Sequence, residues 1–404
     1  VFNNRRPVLE KAVKRFLECG DLGAYEKFVA DNSSWLEVFV EYMAIKEYFD
    51  LKAWTEWPDA ALRRREAASL AHYREKLADR LTYHRVTQYL FFKQWLELKA
   101  YANEHYIEIV GDMPIYVAAD SCDVWAQPHF FKTDELGQPT CVAGCPPDEF
   151  SATGQLWGNP IYDWKAMDKD GYSWWIKRLR ESFKIYDVVR IDHFRGFESY
   201  WEIPASSDTA APGKWVKGPD YALFKAVKEE LGDLNIIAED LGFMTDEVIA
   251  LREKTGFPGM KVTQFAFNPD SESIDSPHLA PNNSVMYTGT HDNNTVLGWY
   301  RDEIDDATRE YMAQYTNRKE YETVPHAMLR TIFSSVSFMA IATMQDLLEL
   351  DGSARMNYPS TIGGNWSWRM TADELNPVVE AELYSLTKTY RRVNKKLLNH
   401  ENEL

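Results

Sequence analysis

Val188-Val189-Arg190-Ile191-Asp192-His193-Phe194-Arg195-Gly196 sets an apolar run against charge within a few residues. A buried parallel strand has this pattern where it delivers its last side chains to an open rim. Arg190 and Asp192 are two apart, so on a strand they point to the same side, toward the axis of a barrel if the sheet closes. A carboxylate that attacks as a nucleophile has to be ionised, and a guanidinium beside it favours that form. A structural ion pair at a strand end explains the same residues without catalysis.

Two later stretches repeat the pattern. Ile236-Ile237-Ala238-Glu239-Asp240-Leu241-Gly242 is a second apolar strand ending in acids, and Val285-Met286-Tyr287-Thr288-Gly289-Thr290-His291-Asp292-Asn293-Asn294 is a third. Glycoside chemistry with retention uses one ionised carboxylate as nucleophile and a protonated acid about 5–5.5 Å away. A third carboxylate can hold sugar hydroxyls. The apolar approach to Glu239 could desolvate its carboxyl and favour the protonated form. Asp240 points to the other face and reads as structural, and His193, one residue past Asp192, faces away.

Around these stretches runs an alternation of strands and helices. Strands are expected near residues 107, 188, 236, 262, 286 and 339, the fourth as Lys261 to Phe267 and the last as Phe338 to Met344. Tyr172, Trp175, Ile176, Leu179 and Phe183 mark one helical face. Tyr221, Phe224, Val227 and Leu231 mark another, ended by Gly232, and Thr245 caps a third, closed by Gly256. The first hundred residues are mostly helical: Val8 to Leu17, a helix opened by a Ser34/Glu37 capping box and running toward Asp50, then Arg63 to Leu77 and Arg85 to Ala100. The aromatics there, Trp35, Trp54, Trp57, Tyr89 and Trp95, read as core rather than sugar platforms.

Composition narrows the partners. A formal charge of −17 over 404 residues argues against nucleic acid and against anionic membranes, and a neutral sugar polymer is compatible with it. No apolar run approaches the ~20 residues of a membrane span and no secretory signal opens the sequence, so the cytoplasm is the expected compartment. Four cysteines are too few for a disulfide framework in a chain this long. Cys141 and Cys145 have a suggestive spacing, but no His follows at ligand distance, and no oxygen cluster is spaced for calcium. No cofactor and no metal are expected.

The Arg-Ile-Asp-His-Phe-Arg-Gly, Ala-Glu-Asp-Leu-Gly and Thr-His-Asp-Asn segments resemble those of the amylomaltases, also called disproportionating enzymes or 4-α-glucanotransferases, relatives of the α-amylases. The resemblance continues through Gly111-Asp112-Met113-Pro114-Ile115-Tyr116-Val117, Trp157-Gly158-Asn159-Pro160-Ile161-Tyr162 and Gly363-Gly364-Asn365-Trp366, in the family's order. It implies an α/β fold, a (β/α)8 TIM barrel with helical insertions. Six strands then make strands three to eight, so the chain reads as lacking the first two, with 1–105 a helical insertion subdomain and 106–404 the catalytic barrel.

By that resemblance Asp192 is the nucleophile, Glu239 the acid and then the base, and Asp292 the third acid, which grips the 2- and 3-hydroxyls of the distorted sugar. Arg190 and His291 would flank that sugar. Residues 142–157 read as a shaped loop over the donor site, with Asp148, Phe150, Gln155 and Trp157 lining the cleft; a packed surface loop is the plainer alternative. Asn365 is carried over as a sugar contact, and Asp112 as either a contact or a buried, hydrogen-bonded brace. The implied activity is transfer of α-1,4-glucan segments between maltooligosaccharides, to glucose or an oligosaccharide acceptor. An α-1,4-glucan hydrolase, a non-catalytic glucan-binding protein and an inactive fragment are the alternatives, and the three acids alone do not separate transfer from hydrolysis.

Overall fold

A computed structural model describes residues 2–147, 151–359 and 361–394. The chain divides into two compact units, Val1–Val189 with Gly196–Leu234, and Arg190–Arg195 with Asn235–Leu404.

The first unit opens with helices α1 (Phe2–Cys19), α2 (Leu22–Tyr48), α3 (Ala60–Arg63), α4 (Ala67–Lys76) and α5 (Ala78–Glu104). The α2 helix starts earlier than the Ser34/Glu37 pair suggests. Asp21 is its N-cap, accepting from the Ala24 N–H, and Ser34 lies mid-helix. Trp54, Trp57 and Tyr89 are buried, while Trp35 and Trp95 are half-buried. Strand β1 (Val110–Met113) follows, then α6 (Cys122–Ala126), β2 (Cys141–Cys145), β3 (Gln155–Pro160), α7 (Trp164–Lys169), α8 (Ser173–Ile185) and β4 (Val188–Ile191). The unit ends with β5 (Ser199–Pro204), β6 (Lys214–Lys217) and α9 (Tyr221–Leu231).

Residues 142–157 are therefore not one loop. Their ends are strands of an antiparallel sheet ordered β3-β2-β5-β6, with Val142 opposite Pro160 and Gly144 opposite Leu156. Val142 and Ile203, opposite each other on β2 and β5, pack with Ala210.

The second unit receives the end of β4. β7 (Ile236–Ala238) sits beside it, with the Glu239 N–H donating to the Ile191 carbonyl at 3.0 Å, and the Ala238 N–H donates onward to Pro258 at 2.9 Å. After α10 (Asp246–Thr255), β8 (Gly259–Val262), β9 (Ser284–Tyr287) and β10 (Met339–Ile341) form a parallel sheet ordered β10-β9-β8. Helices α11 (Val296–Asp302), α12 (Asp306–Tyr315), α13 (Val324–Ser334), α14 (Met344–Leu347) and α15 (Pro377–Thr389) complete it.

Strand β8 is shorter than its apolar sequence suggests. It stops at Val262, and Thr263–Phe265 turns as a 3-10 helix because the Thr263 hydroxyl donates to the Tyr287 carbonyl instead of continuing a ladder. Leu329, Ile332 and Phe333 of α13 pack with Met286, Leu347 and Leu386 into a core cluster. Each such buried side chain contributes about 1.5–3 kcal/mol. The strand ends are held on this core. Among the described residues no helix is long and apolar enough to cross a membrane.

Candidate active site

All four residues of β4 are buried, so its polar Arg190 needs a partner at the strand's exit. It has two. Its Nη2 lies 2.9 Å from Asp192 Oδ1, and its Nε donates to Met260 Sδ at 3.2 Å. The Arg190 side chain is 10% exposed and that of Asp192 44%, so the cation is fixed and the carboxylate reaches solvent-accessible space. That is the geometry an attacking group needs.

The chain then turns through His193 in the left-handed region (φ 53°). This turn directs the His193 N–H at Glu239 Oε2 (2.7 Å), while the Leu241 N–H reaches Glu239 Oε1 (3.0 Å). His193 is half-buried, with its Nε2 enclosed. Burial, with Arg195 nearby, pulls its pKa down to about 3, so it stays neutral.

Glu239 behaves in the opposite sense. Burial pushes its carboxyl up to about 7, and the charge of Asp192 adds to the rise, against Arg190 and the two backbone N–H groups. Two carboxyls in different surroundings are thereby separated into an ion-paired anion and an acid that carries a proton near neutrality. Asp240, the next residue, faces the other way. Its Oδ1 accepts the Met260 N–H at 2.6 Å and its Oδ2 is paired with Arg252. Gly259 leaves room for this buried pair, since a Cβ there would collide with both partners.

Asp292 is held differently. Asn357 Nδ2 donates to its Oδ1 at 2.6 Å, Arg355 Nη2 donates to its carbonyl at 2.6 Å, and His291 Nε2 lies 3.4 Å from its Oδ2. Arg355 is itself anchored on Glu303 at 3.2 Å. Trp366 lies over His291 with ring centroids 5.1 Å apart. Arg190, His291, Arg355 and Trp366 line one cavity of about 320 Å3.

Asn365 does not enter that cavity's lining. Its Oδ1 accepts the Tyr358 N–H at 3.0 Å and its Nδ2 donates to Thr361 Oγ1 at 3.0 Å. These bonds brace the turn, and the neighbouring Trp366 stands at φ 58°. No pattern in the sequence points to Arg355, Asn357 or Met260.

The remaining candidates lie in the first unit. Asp112 is exposed on β1, which removes the buried-brace reading. Trp157 is 36% exposed on β3, with its Nε1–H donating to Gln155 Oε1 at 3.0 Å and its ring 6.4 Å from that of Tyr116. Asp148 and Phe150 lie outside the described residues. Cys141 and Cys145 stand at the two ends of β2, and among the described residues no group of His, Cys, Asp and Glu could hold a metal ion.

Comparison with known proteins shows the family. The family model described as 4-alpha-glucanotransferase matches residues 1–375. A 4-alpha-glucanotransferase of Streptococcus pneumoniae serotype 4 is 78% identical over 399 residues, which cover 99% of this chain and 79% of that protein. One from Thermus thermophilus is 45% identical over 397 residues, 96% of this chain and 79% of the relative. The solved structure of the amylomaltase from Streptococcus agalactiae in complex with acarbose superposes with a TM-score of 0.95 at 47% identity, covering 97% of this chain and 79% of that one.

Proposed function

The chain belongs to the 4-alpha-glucanotransferase family, and from that membership we propose how its residues carry out the transfer of α-1,4-glucan segments between maltooligosaccharides. Asp192 attacks the anomeric carbon while Glu239 gives its proton to the departing glycosidic oxygen, leaving a glycosyl ester on Asp192. Glu239, now a carboxylate, takes the proton of an acceptor sugar's hydroxyl as that oxygen displaces Asp192. Two inversions give net retention.

The observation that carries this reading is the raised carboxyl of Glu239, at about 7, beside the ion-paired Asp192. Asp292, fixed by Asn357 and Arg355, accepts hydroxyls of the bound sugar, and Trp366 with His291 forms a wall beside it. Trp157 offers its half-exposed ring to a glucosyl unit, and Gln155 positions that indole. The fold reading that goes with these roles is a (β/α)8 barrel, supported by the succession β4, β7, β8, β9, β10, with 1–105 as a helical insertion. The free thiols favour a reducing, cytoplasmic setting.

Incubation with maltotriose and separation of the products by size tests the reaction. Glucose with a ladder of chains longer than maltotriose is expected. Glucose and maltose alone would make it a hydrolase, and turnover retained by Asp192→Asn would remove the nucleophile assignment.

A further inference from the structure

A cavity of about 380 Å3 lies within the first unit, and none of the strand-end acids lines it. Its size falls in the ~300–1,000 Å3 range of small-ligand sites. Aromatic rings form its walls: Trp35 and Phe39 from α2, Phe92 from α5 and Trp174 from α8. Trp35 is the hub, with ring centroids 5.3 Å from Phe92 and 6.4 Å from Phe39. Trp35, Phe39 and Phe92 are half-buried where they line this space.

Three polar side chains line the same space with capacity to spare. The Gln127 Oε1 is buried and has no hydrogen-bond partner among the described residues. A buried acceptor left without a donor is unfavourable, so a ligand hydroxyl would relieve it. Lys177 donates to the Ser34 carbonyl at 2.6 Å and, among the described residues, forms no ion pair. Its other N–H groups remain available. The side chain of Asp123 receives the weak Cys122 thiol at 3.8 Å, which leaves its lone pairs unfilled.

The charges select the ligand. Lys177 and Arg178 are balanced by Asp123 and Glu181 in the same lining, so neither an anion nor a cation is favoured. Arg178 is already committed to the Pro114 and Ile115 carbonyls. An aromatic wall with alternating acceptors and donors and no net charge suits a neutral polyhydroxylated ring. We propose that this cavity is a second saccharide site, in which a glucosyl unit stacks on Trp35 and shares its hydroxyls among Asp123, Gln127 and Lys177. The proposal rests on the glucan chemistry assigned above for the choice of sugar. Such a site would hold a long glucan on the protein between rounds of transfer.

The test is calorimetric titration of the Asp192→Asn chain with maltotetraose and, separately, with glucose. Two binding events are expected with maltotetraose. Adding Lys177→Met or Asp123→Asn should remove one of them, as should Ala126→Phe, which fills the cavity without touching a polar group. In the chain that keeps Asp192, the same three substitutions should leave turnover of maltotriose unchanged, which also shows that they fold. Loss of an event for maltotetraose alone identifies a glucan segment as the occupant, and loss for glucose as well identifies a single ring. One event in Asp192→Asn, or two events that survive all three substitutions, would overturn the site. Turnover by Asp192→Asn would overturn the nucleophile instead, and an event lost in Lys177→Met would still support the cavity.

Discussion

Glu239 and Asp292 each stand past the end of a strand in the same unit, and they are secured by opposite means. Glu239 is buried and held by two backbone N–H groups, one from its own turn and one from the turn after β4. Asp292 is 44% exposed and held by side chains of a segment more than sixty residues later. Burial and the charge of Asp192 set the protonation of the first, against its backbone donors. Distant side chains set only the direction of the second. In the proposed mechanism that difference separates the acid that exchanges a proton from the one that holds sugar hydroxyls.

The sharpest test of that contrast is Glu239→Gln. The amide keeps the shape and carries no transferable proton, so kcat for maltotriose disproportionation should fall by about 10²–10⁴-fold, the usual contribution of a positioned acid or base. An effect below tenfold would show that Glu239 is not the proton donor. In the unsubstituted chain the rate should decline as pH rises through about 7, because the donor loses its proton there.

Asp240→Asn asks whether the adjacent acid belongs to the same chemistry. It removes one partner of the buried pair with Arg252, whose side chains are 1% and 12% exposed. Breaking such a pair costs about 3–5 kcal/mol. Urea denaturation should show that loss, while the folded fraction keeps its turnover. Lost turnover without lost stability would make Asp240 part of the site.

The raised carboxyl also leaves a mark on stability. Folded Glu239 retains its proton up to about 7, whereas in the unfolded chain it leaves in the ordinary carboxylate range, near 4.3. Between those values the folded state binds more protons, so rising pH destabilises it through this group. Glu239→Gln escapes that loss. From about pH 5 to about pH 8 the variant should gain roughly 1–3 kcal/mol on the parent chain, read from paired denaturation curves. Parallel curves would mean that Glu239 ionises normally.

The same contrast explains what the sequence disclosed. Arg190 on β4 with Asp192 just past its end, and Glu239 after an apolar run, are local patterns that mark strand ends. Helix ends at Gly232 and Gly256 were legible for a similar reason, since each residue takes the positive φ that closes its helix. Ser34 misled because a capping pair is a local signal that a long helix can override once Asp21 caps it first. Residues 142–157 read as a loop because short β2 and β3 gain their identity from β5, which pairs from nearly sixty residues away. Asn357 and Met260 carried no sequence mark at all. What they do depends on the fold bringing them to Asp292 and Arg190.

Asn357→Ala tests that last kind of residue and should have the smallest effect. Asn357 is half-buried and donates to Asp292 Oδ1 at 2.6 Å, so its loss frees one carboxylate oxygen while His291 still lies 3.4 Å from the other. Turnover should fall about tenfold, equivalent to ~1.4 kcal/mol of transition-state stabilisation, with little change in urea midpoint. The fall should appear in kcat more than in KM, because a gripping carboxylate that turns away weakens the distorted sugar more than the relaxed one. Asn357→Asp sharpens the result, since it replaces the donor with a second negative charge against Asp292 and should cost more than the alanine. Equal losses in the two variants, or a loss confined to stability, would reduce Asn357 to a packing residue and leave Asp292 held by His291 and the Arg355 contact to its backbone.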